Sequence, residues 1–154
     1  GRLSGGLYVV TARQETPEGT RSSAMVASWV SQASFEPPGL TVAVAKDRAI
    51  EALLQVDDRF VLNILREDNH QQLLRHFLKR FPPGANRFAG INTLEGVATG
   101  GPVLGDALAY LGCRVSQRME GPDHWIIYAE VEQGNVADTE ASTAVHHRKV
   151  GNHY

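Results

Sequence analysis

The chain has 154 residues, 42% of them hydrophobic and 21% charged, with 15 Lys and Arg against 17 Asp and Glu and a formal net charge of −2. That length suits one globular domain, and the near-neutral balance lacks the basic field that holds nucleic acid or anionic lipid. One cysteine, Cys113, excludes an internal disulfide framework, and no apolar run reaches the about 18 residues that cross a bilayer. The expected setting is the cytoplasm or a plastid stroma, with no nucleic acid and no membrane as partner. The opening "GRLSGGLYVVT" has no initiator Met and no signal-like start, so residues 1–154 are expected to form one domain of a longer polypeptide.

In chain order, "LYVVTAR" (7–13) is dense in strand-forming residues, "TPEG" (16–19) supplies a turn, and "RSSAMVASWVSQASF" (21–35) continues an extended pattern, which together predict a hairpin. Pro37 and Pro38 end that ladder. "LTVAVAK" (40–46) predicts a third strand and "RAIEALLQV" (48–56) a short helix, with Ile50, Leu53 and Leu54 at helical spacing. "RFVLNIL" (59–65) predicts a strand. "EDNHQQLLRHFLKRF" (67–81) predicts a helix whose apolar stripe is Leu73, Leu74, Phe77, Leu78 and Phe81, stopped by Pro82-Pro83-Gly84. A stretch rich in Gly, Asn and Pro from Pro83 to Gly105 reads as a long surface excursion. "ALAYLGCRVSQRME" (107–120), the turn "GPD" and "HWIIYAEVEQGNV" (124–136) predict a long hairpin with Trp125, Ile127, Ala129 and Val131 on one face. About six strands with two or three short helices point to a mainly β, antiparallel barrel, because the helices are too few for repeated crossovers.

No GxSxG, HExxH, CxxC, GxxxxGK[ST] or GxGxxG is present. His146-His147 and His153 suit a structural or solvated role better than a metal site, since adjacent strand residues point to opposite faces; no metal is expected. Cys113, without a partner, reads as a buried inert thiol. The stretch from Ala27 to Ser34 is unusual for a strand in its small polar side chains, Ser28, Ser31, Gln32 and Ser34, before a proline stop. It leaves room for something other than protein. With Lys46, Arg48 and the start of the next helix it predicts an anion site, with Ser34 as hydroxyl donor. An ordinary solvated helix start accounts for Lys46 and Arg48 equally well.

"GGLYVVTA", "SSAMVASWVSQASFEPPGLTVAVAKDRAI", "RFVLNIL", the Arg87-Phe88 region and "GCRV…GPDHWIIYAEV" resemble the flavin reductase-like, FMN-binding split-barrel family. The branch they most resemble is the C-terminal flavin reductase module of flavodiiron proteins from oxygenic phototrophs. The resemblance implies a six-stranded Greek-key split barrel that forms a homodimer, with FMN, or FAD as an alternative, near the dimer interface. It places Ala27, Ser28 and Trp29 along the flavin ring, Gln32, Ala33 and Ser34 along the ribityl chain, and Lys46, Arg48 and Ala49 at the phosphate. His124 would orient the nicotinamide of NAD(P)H; the competing role is a hairpin-end His bonded to nearby groups. Phe88 and Tyr154 could close on the ring. Without GxGxxG, the dinucleotide would lie in an open groove.

The implied function is an NAD(P)H:flavin oxidoreductase that passes electrons to a diiron and flavodoxin-like partner for O2 reduction to water. The competing class is a flavin-binding and dimerisation module with little turnover of its own. A third is a structural barrel that has lost flavin, against which Ser28, Ser34, Lys46 and Arg48 argue.

Overall fold

In a computed structural model, which describes residues 3–147, the chain folds as a mainly β domain. β1 is Gly5–Gly6, β2 Tyr8–Thr16, β3 Gly19–Ala27, β4 Val30–Phe35 and β5 Pro38–Ala45. A 3-10 helix, Ala49–Leu53, precedes β6, Arg59–Ile64, and the helix α1, His70–Phe77. β7 (Thr93–Leu94), β8 (Val103–Leu104), β9 (Ala109–Glu120), β10 (His124–Val136) and β11 (Val145–His146) complete it. The main sheet has seven antiparallel strands in the order β3-β2-β6-β9-β10-β5-β4. β1 pairs with β11, and β7 with β8, as two small ribbons.

Seven strands stand where six were expected, because 21–35 is two strands. β3 pairs with β2 up to Ala27↔Tyr8, and β4 pairs with β5 from Val30↔Val42. Between them the chain crosses at Ser28-Trp29 from one edge of the sheet to the other. The two edges of the curled sheet therefore meet at a seam made by these two residues. Both hairpins flanking a predicted turn are present. The first turns on Pro17-Glu18 into Gly19, whose φ of 115° suits the residue without a Cβ.

Alternation along the strands explains the curl. Val10, Met25, Val42, Val44, Phe60, Leu62, Val115 and Ile127 point inward to one buried cluster fed by β2, β3, β5, β6, β9 and β10. Ile127 and Ala129 lie in that core, with Trp125 and Val131 packed against it, as the single-face reading of β10 requires. β2 is buried on both faces: Val9 joins a second cluster outside the barrel, with Val26, Leu65, Leu73, Phe77 and Leu104. The excursion after α1 thus covers a core as well as meeting solvent. A buried polar tie secures it. Asn63 Nδ2 donates to the Val9 carbonyl (3.0 Å) and to Thr11 Oγ1 (3.2 Å), Asn63 Oδ1 accepts from Leu104 N–H (2.9 Å), and Thr11 Oγ1 donates to the Pro102 carbonyl (2.6 Å).

Two helical expectations shrink. The 48–56 segment forms a 3-10 turn of five residues, after which Asp57, at φ 73°, turns the chain back toward β6. α1 is eight residues long, burying Leu73 and Phe77 but leaving Leu78 exposed.

Candidate functional site

The seam brings part of the expected site together. Ala27 is in the core by its side chain, so only its backbone can serve a ligand. Ser28 is buried and Trp29 is 46% exposed. Gly5 packs so closely that a Cβ there would meet the Ser28 carbonyl oxygen at 2.7 Å, which fixes the seam's path. A groove of about 590 Å³ opens over it, lined among others by Ser28, Trp29, Ser31, Thr41, Ile126 and His146. His124, opposite Ala45 at the start of β10, reaches the same place. Its ring lies 4.8 Å from that of Trp29 at 40°.

His124 Nδ1 is 2.7 Å from Asp123 Oδ1. The hydrogen bond with His124 is the main cause that holds the Asp123 carboxyl below the usual carboxylate range, with the nearby charges of His124 and Lys46 adding to it. An ionised carboxylate only accepts, so Nδ1–H donates, and in the neutral ring Nε2 is left as an acceptor.

The anion site is built differently from expectation. Register places Ser34 opposite Gly39, at the β4–β5 turn, whereas Lys46 and Arg48 follow the other end of β5. About 20 Å of strand separates them, so Ser34 cannot join those cations around one phosphate in this chain. Gln32 and Ala33, exposed on the edge strand β4, run away from the seam toward that same turn. They do not lead to Arg48. Lys46 is also engaged elsewhere: Nζ holds Glu120 Oε2 at 2.8 Å and lies 5.6 Å from the Trp125 ring centroid, while its N–H donates to the Asp123 carbonyl at 3.0 Å. A five-residue 3-10 turn offers no helix dipole of the kind invoked from sequence.

Arg48 and Ala49 do line a site. A recess of about 720 Å³ runs along the unpaired side of β3 at Ser23–Val26, between the 3-10 turn and the end of α1. Lys79, Arg80 and Arg87 line it with Arg48. Arg13, Lys46, Arg59, Arg66, Arg114 and Arg118 each hold a carboxylate. Among the described residues, Arg21, Arg48, Arg75, Lys79, Arg80 and Arg87 hold none, and four of these six, Arg48, Lys79, Arg80 and Arg87, line this recess together with Asp47. Four cations against the single carboxylate of Asp47, beside the outward backbone N–H groups of an edge strand, suit a phosphate. The sequence did show a cation-rich "LKRFPPGANRF", but nothing in its spacing places it beside Arg48. Val26 in the recess and Ser28 in the seam, just past the end of β3, are two residues apart, so one ligand with a flat ring and a phosphate arm can span both. The residues fit a phosphate-bearing flavin on that ground.

Phe88 and Cys113 are packed in the interior. Phe88 is buried beside Phe77, ring centroids 5.9 Å apart, and is not free to close on a ligand. Tyr154 and His153 lie outside the described residues. His146 lies in β11 and lines the groove; among the described residues no group of three or more His, Cys, Asp or Glu could hold a metal ion. Cys113 is fully buried, and burial, with Glu132 adding, pushes its thiol up to about 12. Among the described residues no helix is long and apolar enough to cross a membrane.

A curled antiparallel sheet of seven strands, with a seam between its edges and a cation-lined recess beside one of them, places the chain among mainly β, barrel-like domains. Residues 1–152 match the flavin reductase like domain, and the chain belongs to that family. Diflavin flavoprotein A 1 of Synechocystis sp. is 65% identical over 154 residues, which is 100% of this chain and 26% of that protein; the chain therefore spans about a quarter of that relative's length. Among solved structures, the NADH:FAD oxidoreductase SgcE6 of Streptomyces globisporus C-1027 superposes with a TM-score of 0.83 at 26% identity, covering 94% of this chain and 82% of that one. Its complex with NAD and FAD fragments superposes at 0.80 and 23% identity, covering 94% and 81%, and so speaks to the fold alone.

Proposed function

We propose that this domain is the flavin reductase module of a flavodiiron protein: it holds FMN, takes reducing equivalents from NAD(P)H, and passes electrons to diiron and flavodoxin-like domains of the same or a neighbouring chain for O2 reduction to water. The observation that carries the reading is the clustering of four cations without ion pairs, Arg48, Lys79, Arg80 and Arg87, in one recess along the open edge of β3. The family and the 65% identical diflavin flavoprotein support it. FAD is the alternative ligand; an adjoining recess of about 620 Å³ beyond Arg87 has room for its adenylate.

A bound flavin supplies a ring that accepts a hydride from a dihydronicotinamide and releases electrons onward. The chain's own residues position and shield. Arg48 and Arg87 would bind the phosphate arm, the backbone of Met25–Ser28 would face the ring edge, and the small side chain of Ser28 would let the ring approach. His124, its Nδ1–H held by Asp123, presents Nε2, an acceptor in the neutral ring, to the carboxamide N–H of the nicotinamide. Orientation is its task, since hydride transfer asks for close approach rather than a protein nucleophile. The proposal includes a homodimer: Leu3 and Trp29, both exposed, border the seam groove, and exposed Met119 lies across from Ile126, which lines it. Anaerobic titration of the FMN-loaded domain with NADH and with NADPH tests the activity. Bleaching of the oxidised flavin band by either at a rate competitive with turnover supports a reductase; bleaching by dithionite alone leaves a flavin-binding and dimerisation module.

A further inference from the structure

Among the ion-paired side chains of the described residues Arg118 is the most enclosed, and the proposed site does not use it. It projects from β9, 10% exposed by side chain, with its guanidinium 4.2 Å from the Trp125 ring centroid. It donates to Glu51 in the 3-10 turn and to Gln55 just after it. Trp125 directly follows His124, and Glu51 stands two residues after Ala49, which lines the phosphate recess. One buried guanidinium thus ties the barrel wall below His124 to the segment that carries Arg48 and Ala49. The 3-10 turn has no side-chain cap at Arg48. A five-residue segment of that kind has little stability of its own, and its placement depends on side-chain ties such as this one.

We infer that Arg118 is a positioning residue that, through Glu51, holds the Arg48-Ala49 segment in the geometry required to bind the flavin phosphate. This rests on the proposed phosphate site. A charge taken out of water needs its partner, so removing Glu51 strains the fold more than removing Arg118, whose loss returns a 23% exposed Glu51 to solvent.

Arg118→Met keeps an apolar stem over Trp125 and deletes the tie; Glu51→Gln weakens it from the other side. FMN and riboflavin are titrated into each variant, the double variant and Arg48→Ala. The expected result is an about threefold to fivefold loss of FMN affinity in Arg118→Met and in Glu51→Gln, no further loss in the double variant, and riboflavin affinity within about twofold of the parent. Equal weakening of both flavins, or none, in Arg118→Met while Arg48→Ala still loses FMN selectively would overturn the positioning role and leave the site. If Arg48→Ala also fails to separate FMN from riboflavin, the phosphate site and the positioning role fall together. Should Glu51→Gln not fold, Arg118→Met alone decides.

Discussion

Truncating Arg87 should cost more flavin affinity than truncating Arg48, although the sequence draws attention only to the second. Arg87 is half-buried, its carbonyl accepts from His76 Nε2 at 2.7 Å, and its guanidinium lies 5.7 Å from the Phe81 ring centroid. Much of its freedom is already gone before a ligand arrives. Arg48 is exposed, has no ion pair, and must be ordered on binding. A charge-assisted bond contributes about 1.5–3 kcal/mol, and ordering a free arginine takes back as much as about 1.5–2 kcal/mol. We therefore expect Arg87→Ala to lose about 2 kcal/mol, about 30-fold in FMN Kd, and Arg48→Ala about 1 kcal/mol, about fivefold. The double variant should fall short of the product, since both side chains meet one phosphate. Quenching of flavin fluorescence, titrated with FMN and with riboflavin at two salt concentrations, reads these numbers. Riboflavin has no phosphate and should stay within about twofold. Equal losses for both flavins, or an Arg87→Ala variant that binds FMN like the parent, would refute the reasoning.

Three further outcomes follow from the same geometry. His124→Ala should slow flavin reduction by NAD(P)H at least about tenfold in stopped flow while leaving dithionite reduction and FMN affinity unchanged; an unchanged NAD(P)H rate would return His124 to a hairpin role beside Asp123. Asn63→Leu deletes bonds to Val9 and Thr11 and strands the Leu104 N–H, at a cost of about 3 kcal/mol. At about 2–4 °C per kcal/mol that lowers Tm by about 6–12 °C by calorimetry, and a drop under about 2 °C would contradict the tie. Cys113, with its thiol raised to about 12 from 9.0, should be alkylated at pH 8.5 at least about a hundredfold more slowly in the native domain than in denaturant; comparable rates would show it is not buried. Its raised pKa makes its stabilising share complete below the unfolded value near 9.0 and fading as pH rises toward 12.

Strands, hairpins and the inward face of β10 were legible because alternation and turn residues act locally. The break at Ser28-Trp29 was not: every residue from Arg21 to Phe35 is compatible with one extended run, and only tertiary pairing divides it between β2 and β5. The misplacement of Ser34 has a plain cause. Pro37-Pro38 was read as a stop, yet it also reverses the chain, so β4 and β5 are antiparallel and Ser34 lies at the end opposite Lys46. The helix over 48–56 was overcounted because Ile50, Leu53 and Leu54 match helical spacing for barely more than one turn. Lys79, Arg80 and Arg87 became functional candidates only when folding set the end of α1 beside Arg48, and the lack of ion partners that marks them is a property of the structure.

A crystal structure of the domain with FMN bound tests the central claim most directly, because it locates the phosphate without reference to activity. Phosphate oxygens are expected within hydrogen-bond distance of Arg87 or Arg48 in the recess along Ser23–Val26, with the ring edge at Ala27-Ser28 and the His124 side left open to the nicotinamide. A phosphate beside Ser34 or Lys46, with Arg48 and Arg87 in solvent, would contradict it.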